Sequence, residues 1–193
     1  MALVNDRLRE IQCKIAYYGP AASGKTSNLT QIHRHAPVDA RGDILTLTAT
    51  VDPRPSRLLP LALGVIAGYQ VRLHLYTVPG STVGDAGRPA LLSGADGVVF
   101  VVDSEQERFR DNLSSLHELV RTMEMCRAGK GSIPVVVQYN KRDVPGAVPV
   151  PILNARLNPT TAPSCEAVAT SGVGVFATLQ TISQLLIERI GHL

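Results

Sequence analysis

The run Gly19-Pro-Ala-Ala-Ser-Gly-Lys-Thr26 has the residue types and spacing of a phosphate cradle, G-x-x-x-x-G-K-[ST]. Gly19 and Gly24 let the backbone curl until successive N–H groups converge on one anion. A helix opening behind them adds its positive dipole end at the same spot. Lys25 then reaches the β- and γ-phosphates of a nucleotide, and the Thr26 hydroxyl supplies a ligand for Mg²⁺. Gly19, Ala22, Ser23, Gly24, Lys25, Thr26 and Ser27 are the expected phosphate-binding residues. A glycine-rich turn carrying a lysine is the plain alternative. The flanks argue against it, because Ile11 to Tyr18 reads as a strand and Ser27 to Arg34 as the opening of a helix.

A second constellation addresses the base. Val135 to Asp143 is an apolar strand ending in Asn140-Lys-Arg-Asp143, the N-K-x-D pattern of the base-reading loop in GTP-binding proteins. The Asp143 carboxylate can accept from both N1–H and the exocyclic amine of guanine, an arrangement adenine does not offer. Asn140 is expected at the other edge of the base and the Lys141 stem along its face. Four letters alone match many polar turns. Their place at the carboxyl end of a buried strand, downstream of the phosphate loop, is where an open α/β sheet binds its ligand. Ala169-Thr-Ser171 stands where G proteins put a second guanine loop, whose backbone N–H meets the base oxygen. An ordinary strand-end turn would read the same way.

These loops need a scaffold that gathers strand ends, and the chain supplies one. Strands and helices alternate as in an α/β, doubly wound, mostly parallel sheet with helices on both faces. Leu58 to Ile66 and Val71 to Tyr76 read as strands joined at Ala67-Gly68. In the second, Val71, Leu73 and Leu75 alternate with Arg72, His74 and Tyr76, which puts the first set in the core and His74 at the surface. Val98 to Val102 is uniformly apolar, as a central strand covered on both faces must be. Glu107 to Arg127 carries helical periodicity through Leu113, Leu116, Leu119, Val120 and Met123. Glu166 to Thr170 is expected as a short last strand. Val175 to Ile190 is expected as a closing helix burying Phe176, Leu179, Ile182 and Leu186. No repeat, low-complexity tract or linker interrupts the chain, so residues 1–193 are expected to form a single domain.

Taken together, Arg9 to Pro20, Leu75-Tyr-Thr-Val-Pro-Gly80, Gly97 to Asp103, Tyr139-Asn-Lys-Arg-Asp143 and Gly172-Val-Gly-Val-Phe176 resemble the MglA family of bacterial Ras-like GTPases. The resemblance runs nearly end to end. Thr-Val-Pro-Gly is its most telling part, since most small GTPases carry aspartate at the position of Thr77. It implies a Ras-like P-loop G domain that cycles between GDP and GTP with Mg²⁺ and adds Gly80 to the phosphate contacts. It also implies a polarity or gliding-motility switch, a roadblock/LC7-type activator resembling MglB, and polarity effectors.

Against that family the hydrolytic side departs in three places. Ser81 stands where the family has glutamine, and a serine hydroxyl is too short to hold the attacking water in the same position. The family's Arg-Thr pair, finger and Mg²⁺ ligand, is absent from Thr48 to Arg57. Arg54 lies one step out of register between Pro53 and Pro55, and Thr50 is the nearest metal ligand. Ala21 replaces a glycine, adding a methyl on the same side. Loss of a finger alone is worth about 10³ to 10⁵ in rate. Arg54, Arg57 and Ser81 are therefore the catalytic candidates, and Thr26 and Thr50 the metal ligands. The run Gly80 to Pro89, with three glycines and a proline, opposes a regular helix before Pro89 and suits a second switch.

Composition excludes other classes. A 45% hydrophobic and 18% charged share is that of a globular protein. A formal charge of +3 with no basic run and no tryptophan gives no footprint for nucleic acid. The three cysteines, Cys13, Cys126 and Cys165, show no ligand or disulfide spacing, so a reducing cytoplasm is expected. No signal peptide, membrane-length apolar run or lipidation pattern is visible, so no direct membrane anchor is expected. The leading expectation is a slow guanine-nucleotide switch. The alternatives are a GTP-binding scaffold without turnover and an ATP-using P-loop enzyme, which requires Asn140 to Asp143 to be coincidence.

Overall fold

The computed structural model describes residues 3–47, 55–80, 91–92, 94–126 and 133–190. The chain enters through a short strand, β1 (Leu3–Asn5), and turns into β2 (Glu10–Tyr18). The phosphate loop follows and feeds α1 (Lys25–His35). Next come β3 (Leu45–Leu47), β4 (Ser56–Ile66) and β5 (Tyr69–Thr77), the last two joined by the Ala67-Gly68 turn. β6 (Gly97–Asp103) leads through a 3₁₀ turn (Gln106–Arg108) into α2 (Phe109–Cys126). β7 (Val135–Asn140), α3 (Val150–Leu157), β8 (Ser164–Glu166) and α4 (Val175–Ile190) complete the order.

Across the sheet the strands run β3-β4-β5-β2-β6-β7-β8, and β1 pairs antiparallel with the start of β2. β5, β2, β6, β7 and β8 are mutually parallel, whereas β4 is antiparallel to both β3 and β5. The chain lays β4 and β5 on one side of β2 and returns to its other side for β6. That reversal opens a crevice at the carboxyl end of β2, where the phosphate loop begins.

Alternation in β2 divides the core. Ile11, Cys13, Ile15 and Tyr17 pack with Leu29 and Ile32 of α1 and Leu179, Ile182 and Leu186 of α4. Ala16 and Tyr18 join Val98, Phe100 and Val102 of β6 under Leu116 and Leu119 of α2 and Leu153 and Leu157 of α3. Helices thus cover both faces, and every residue of β6 is buried, as its uniform apolarity requires. Cys13 sits in the wall as a small hydrophobe. Burial, and then the Asp96 carboxylate, push its thiol up to about 12, so it stays protonated and inert.

Several expectations change. The strand expected over Glu166 to Thr170 is Ser164–Glu166, and the chain after it turns, closed by a Val168–Val173 bridge. Phe176 is 42% exposed, because the buried stripe of α4 begins one residue earlier, with Val175, Leu179, Ile182 and Leu186. Val120 of α2 is likewise on its outer side. Tyr76 is buried, since β5 is covered on its second face too, and its hydroxyl donates to the Leu91 carbonyl at 2.7 Å. His74 is half-buried between the strands flanking β5. β1, β3 and α3 carry no strong periodic signal. α3 also holds Pro151 in its first turn, where proline is tolerated but reads as a breaker.

Candidate functional site

The phosphate loop is shaped by residues that tolerate unusual backbone. Gly19 lies so close to β6 that a Cβ there would collide with the Val101 carbonyl oxygen. Ala22 takes φ 60° and Gly24 φ 100°. Gly24 caps α1 without a side-chain acceptor, which leaves the first-turn N–H groups directed at the loop. Lys25 is buried, and its ammonium donates to the carbonyls of Gly19 at 2.9 Å and Pro20 at 2.5 Å, arching over the loop it serves. The Ser23 hydroxyl is buried and has no hydrogen-bond partner among the described residues. Ser27 is half-buried in the first turn. Thr26 is exposed, and its hydroxyl bonds to no described residue.

Gly80 meets this loop from the end of β5. A Cβ on Gly80 would overlap the backbone of Pro20 and Ala21, so only glycine permits the approach. Thr77 is buried, and its hydroxyl accepts from the Arg57 N–H at 2.9 Å, pinning the start of β4 beside the end of β5. The Arg57 guanidinium donates to Thr46 on β3 at 2.6 Å, toward the sheet edge. Thr50, Arg54 and Ser81 lie outside the described residues. The catalytic half of the expected site is therefore represented by Arg57 alone.

The base side is more complete. Asn140 is buried, its Nδ2 donating to the Ser23 carbonyl at 2.7 Å and its Oδ1 accepting from the Ala169 N–H at 2.8 Å. Both ends of the amide are engaged with the protein. Asn140 thus fastens the phosphate loop to the turn after β8. That turn is held again by α1, since Gln31 Nε2 donates to the Thr170 carbonyl at 2.5 Å. The Ser171 N–H is taken by the Val168 carbonyl at 3.1 Å. Of the three N–H groups in Ala169-Thr-Ser171, that of Thr170 alone has no acceptor among the described residues.

Lys141 adopts φ 61°, turning the chain off β7. Its ammonium pairs with Asp103 at 2.6 Å and Glu105 at 3.0 Å. Burial works to lower its pKa, and the hydrogen bonds and charges of Asp103 and Glu105 outweigh it, so the value is raised. The lysine therefore stays charged throughout the neutral range. Asp103 is fully buried at the end of β6, where Asn112 clasps its backbone, accepting from its N–H at 3.0 Å and donating to its carbonyl at 2.8 Å. Arg108 joins the cluster, donating to the Ala21 carbonyl at 2.7 Å and pairing with Asp111 at 2.6 Å. Asp143, by contrast, is exposed and pairs with no described residue.

Asp103, Arg108, Asn112 and Gln31 escaped the sequence reading. Gly97 to Asp103 shows itself as a hydrophobic strand, and nothing in its pattern marks the aspartate at its end as an anchor for the next loop. A cavity of about 510 Å³ opens at the opposite end of the sheet, walled by Ile11, Leu63, Val71, Leu73 and Leu186. Its apolar walls, and its place at the start of β2 instead of the end, separate it from the phosphate loop.

Comparison with known proteins fits this geometry. Residues 69–188 match the ADP-ribosylation factor (Arf) family. Over 191 residues, 98% of this chain and 98% of the relative, the sequence is 43% identical to the mutual gliding-motility protein MglA of Myxococcus xanthus. The first match begins at β5, and the second extends the likeness over the phosphate loop.

Proposed function

The chain belongs to the MglA type of Ras-like small GTPases, within the ADP-ribosylation factor family, and on that premise we propose that it is a guanine-nucleotide switch controlling cell polarity or gliding motility. The observation that carries the nucleotide assignment is the Asn140 bridge, which sets the phosphate loop and the guanine turn side by side. Lys25 and the N–H groups of Gly24 to Ser27 bind the phosphates. Asp143 accepts from guanine, and the Thr170 N–H meets its oxygen. Lys141, held from behind by Asp103 and Glu105, lies along the base.

The Thr26 hydroxyl fits Mg²⁺, because it bonds to no described residue and no cluster of His, Cys, Asp or Glu among them could cage a metal instead. Magnesium commonly takes one protein oxygen or two together with substrate phosphates and water. Thr50 is the second ligand in this reading. When bound, the ion neutralises charge on the β- and γ-oxygens.

Hydrolysis is slow without help, because Ser81 cannot hold water as a glutamine does and no Arg-Thr pair precedes β4. A roadblock/LC7-type partner stimulates it, with Arg54 or Arg57 moving in as the cation. Residues 1–193 act as one G domain in the cytoplasm. Among the described residues no helix is long and apolar enough to cross a membrane.

Single-turnover phosphate release from GTP-loaded protein, alone and with that partner, tests the cycle. Release that rises with the partner is the expected result. GTP that survives in both conditions leaves a nucleotide-bound scaffold in place of the switch.

A further inference from the structure

Beneath the nucleotide loops runs a buried polar relay that the residues assigned above do not include. Asn28 of α1 and Gln138 of β7 are both fully buried and face each other as a reciprocal amide pair. Asn28 Nδ2 donates to Gln138 Oε1 at 2.8 Å, and Gln138 Nε2 donates to Asn28 Oδ1 at 2.9 Å. Each amide has one N–H left, and both are directed to nucleotide-loop supports. Asn28 Nδ2 also donates to the Gly24 carbonyl at 3.0 Å, the residue that caps α1 inside the phosphate loop. Gln138 Nε2 also donates to the Thr178 hydroxyl at 2.9 Å, which in turn donates to the Gly174 carbonyl at 2.8 Å. Gly174 directly follows the Val168–Val173 bridge that closes the turn carrying Ala169 and Thr170.

Resting on the guanine-nucleotide reading, we propose that Gln138 is a positioning residue. Its relay sets the distance between the phosphate loop and the guanine turn and thereby slows nucleotide release. Three points support a role beyond filling the core. Four buried polar atoms of two amides are all satisfied, which an apolar pair of the same shape achieves without any directional constraint. The relay ends on backbone carbonyls of two separate loops, so moving either loop breaks a bond. It also lies on the same face of β7 as Asn140, two residues on, whose amide spans the same two loops one layer nearer the ligand. A ligand held at both its ends by loops tied twice leaves more slowly than one held by loops tied once.

The test is the dissociation rate of a fluorescent GDP from wild type, Gln138→Leu, Asn28→Leu/Gln138→Leu and Thr178→Val, each with its thermal midpoint. Gln138→Leu strands the Asn28 amide and lowers the midpoint, whatever the role of the pair. The double variant replaces both amides and recovers the midpoint, yet releases GDP about tenfold faster than wild type, the value of one or two lost hydrogen bonds. Thr178→Val keeps the Asn28–Gln138 pair and removes the hydroxyl through which Gln138 reaches the Gly174 carbonyl, and it also releases faster. A double variant that recovers both stability and slow release makes the pair purely structural and overturns the proposal. Wild-type release from Thr178→Val overturns it independently. If the wild-type protein takes up no guanine nucleotide at all, the functional reading fails and the inference with it.

Discussion

Asp103 and Asp143 are the same residue type at the two margins of the base loop, and their surroundings give them opposite work. Asp103 is fully buried and bound to Lys141, so its charge is consumed in holding the loop. Asp143 is exposed and pairs with no described residue, which leaves both oxygens for a ligand. Asp143→Ala is therefore expected to weaken GDP about a hundredfold or more, at ~1.5–3 kcal/mol for each hydrogen bond to a charged group. The nucleotide-free melting temperature should hardly move. Titration with fluorescent GDP measures the first, and a change of less than about threefold would take Asp143 out of base contact. N-K-x-D announces Asp143 as the candidate for base contact. The bridge that Asn140 makes was not legible, because its acceptor is the carbonyl of Ser23, and sequence displays side chains, not the carbonyls that a fold brings near. The relay through Asn28, Gln138 and Thr178 was hidden for a related reason. A glutamine within an apolar strand looks like an exception until the helices carrying its two partners are laid over it.

Elements with a long, one-period pattern were legible, and those whose burial came from a second layer were not. β2, β6, β7 and α4 fall where their apolar runs put them, and α4 differs only in the phase of its first turn. β5 misled because alternation was taken for one covered face, whereas Tyr76 enters the second core at the nucleotide end of the strand. Farther back on the same face, His74 lies beside Lys14 and Arg72, with Glu10 as the nearby carboxylate. Burial, then the Lys14 and Arg72 charges, lower its pKa, against a smaller raising effect of Glu10. The fold thus favours neutral His74, and its contribution is complete above the ordinary histidine value. As pH falls below about 6.5 the unfolded chain takes up a proton that the folded chain resists, and stability is lost down through the folded pKa. Urea midpoints of the wild type should drop between pH 7.5 and pH 5.5, and His74→Thr should show a smaller drop. Equal drops in both proteins would mean that other groups carry the acid sensitivity.

At the scale of the molecule, the mostly parallel sheet and the crevice beside β2 followed from alternation of strands and helices. The hydrolytic geometry did not, because its candidates fall mainly on residues outside those described. A ligand that joins loops from both halves of the sheet should stabilise all of it. GDP at a hundred times its dissociation constant adds ~2.7 kcal/mol, or about 5–10 °C of melting temperature for a chain of this size. ATP at the same concentration should leave the melting curve in place, and an equal shift would return the chain to the ATP-using class. The Asn140 bridge has a consequence for how the protein is made. Ser23 is translated well before Ala169, the residue to which Asn140 ties it. Until Ala169 is made, the nascent chain carries its phosphate loop without that tie. A nucleotide that needs both loops must wait until the turn after β8 has been made.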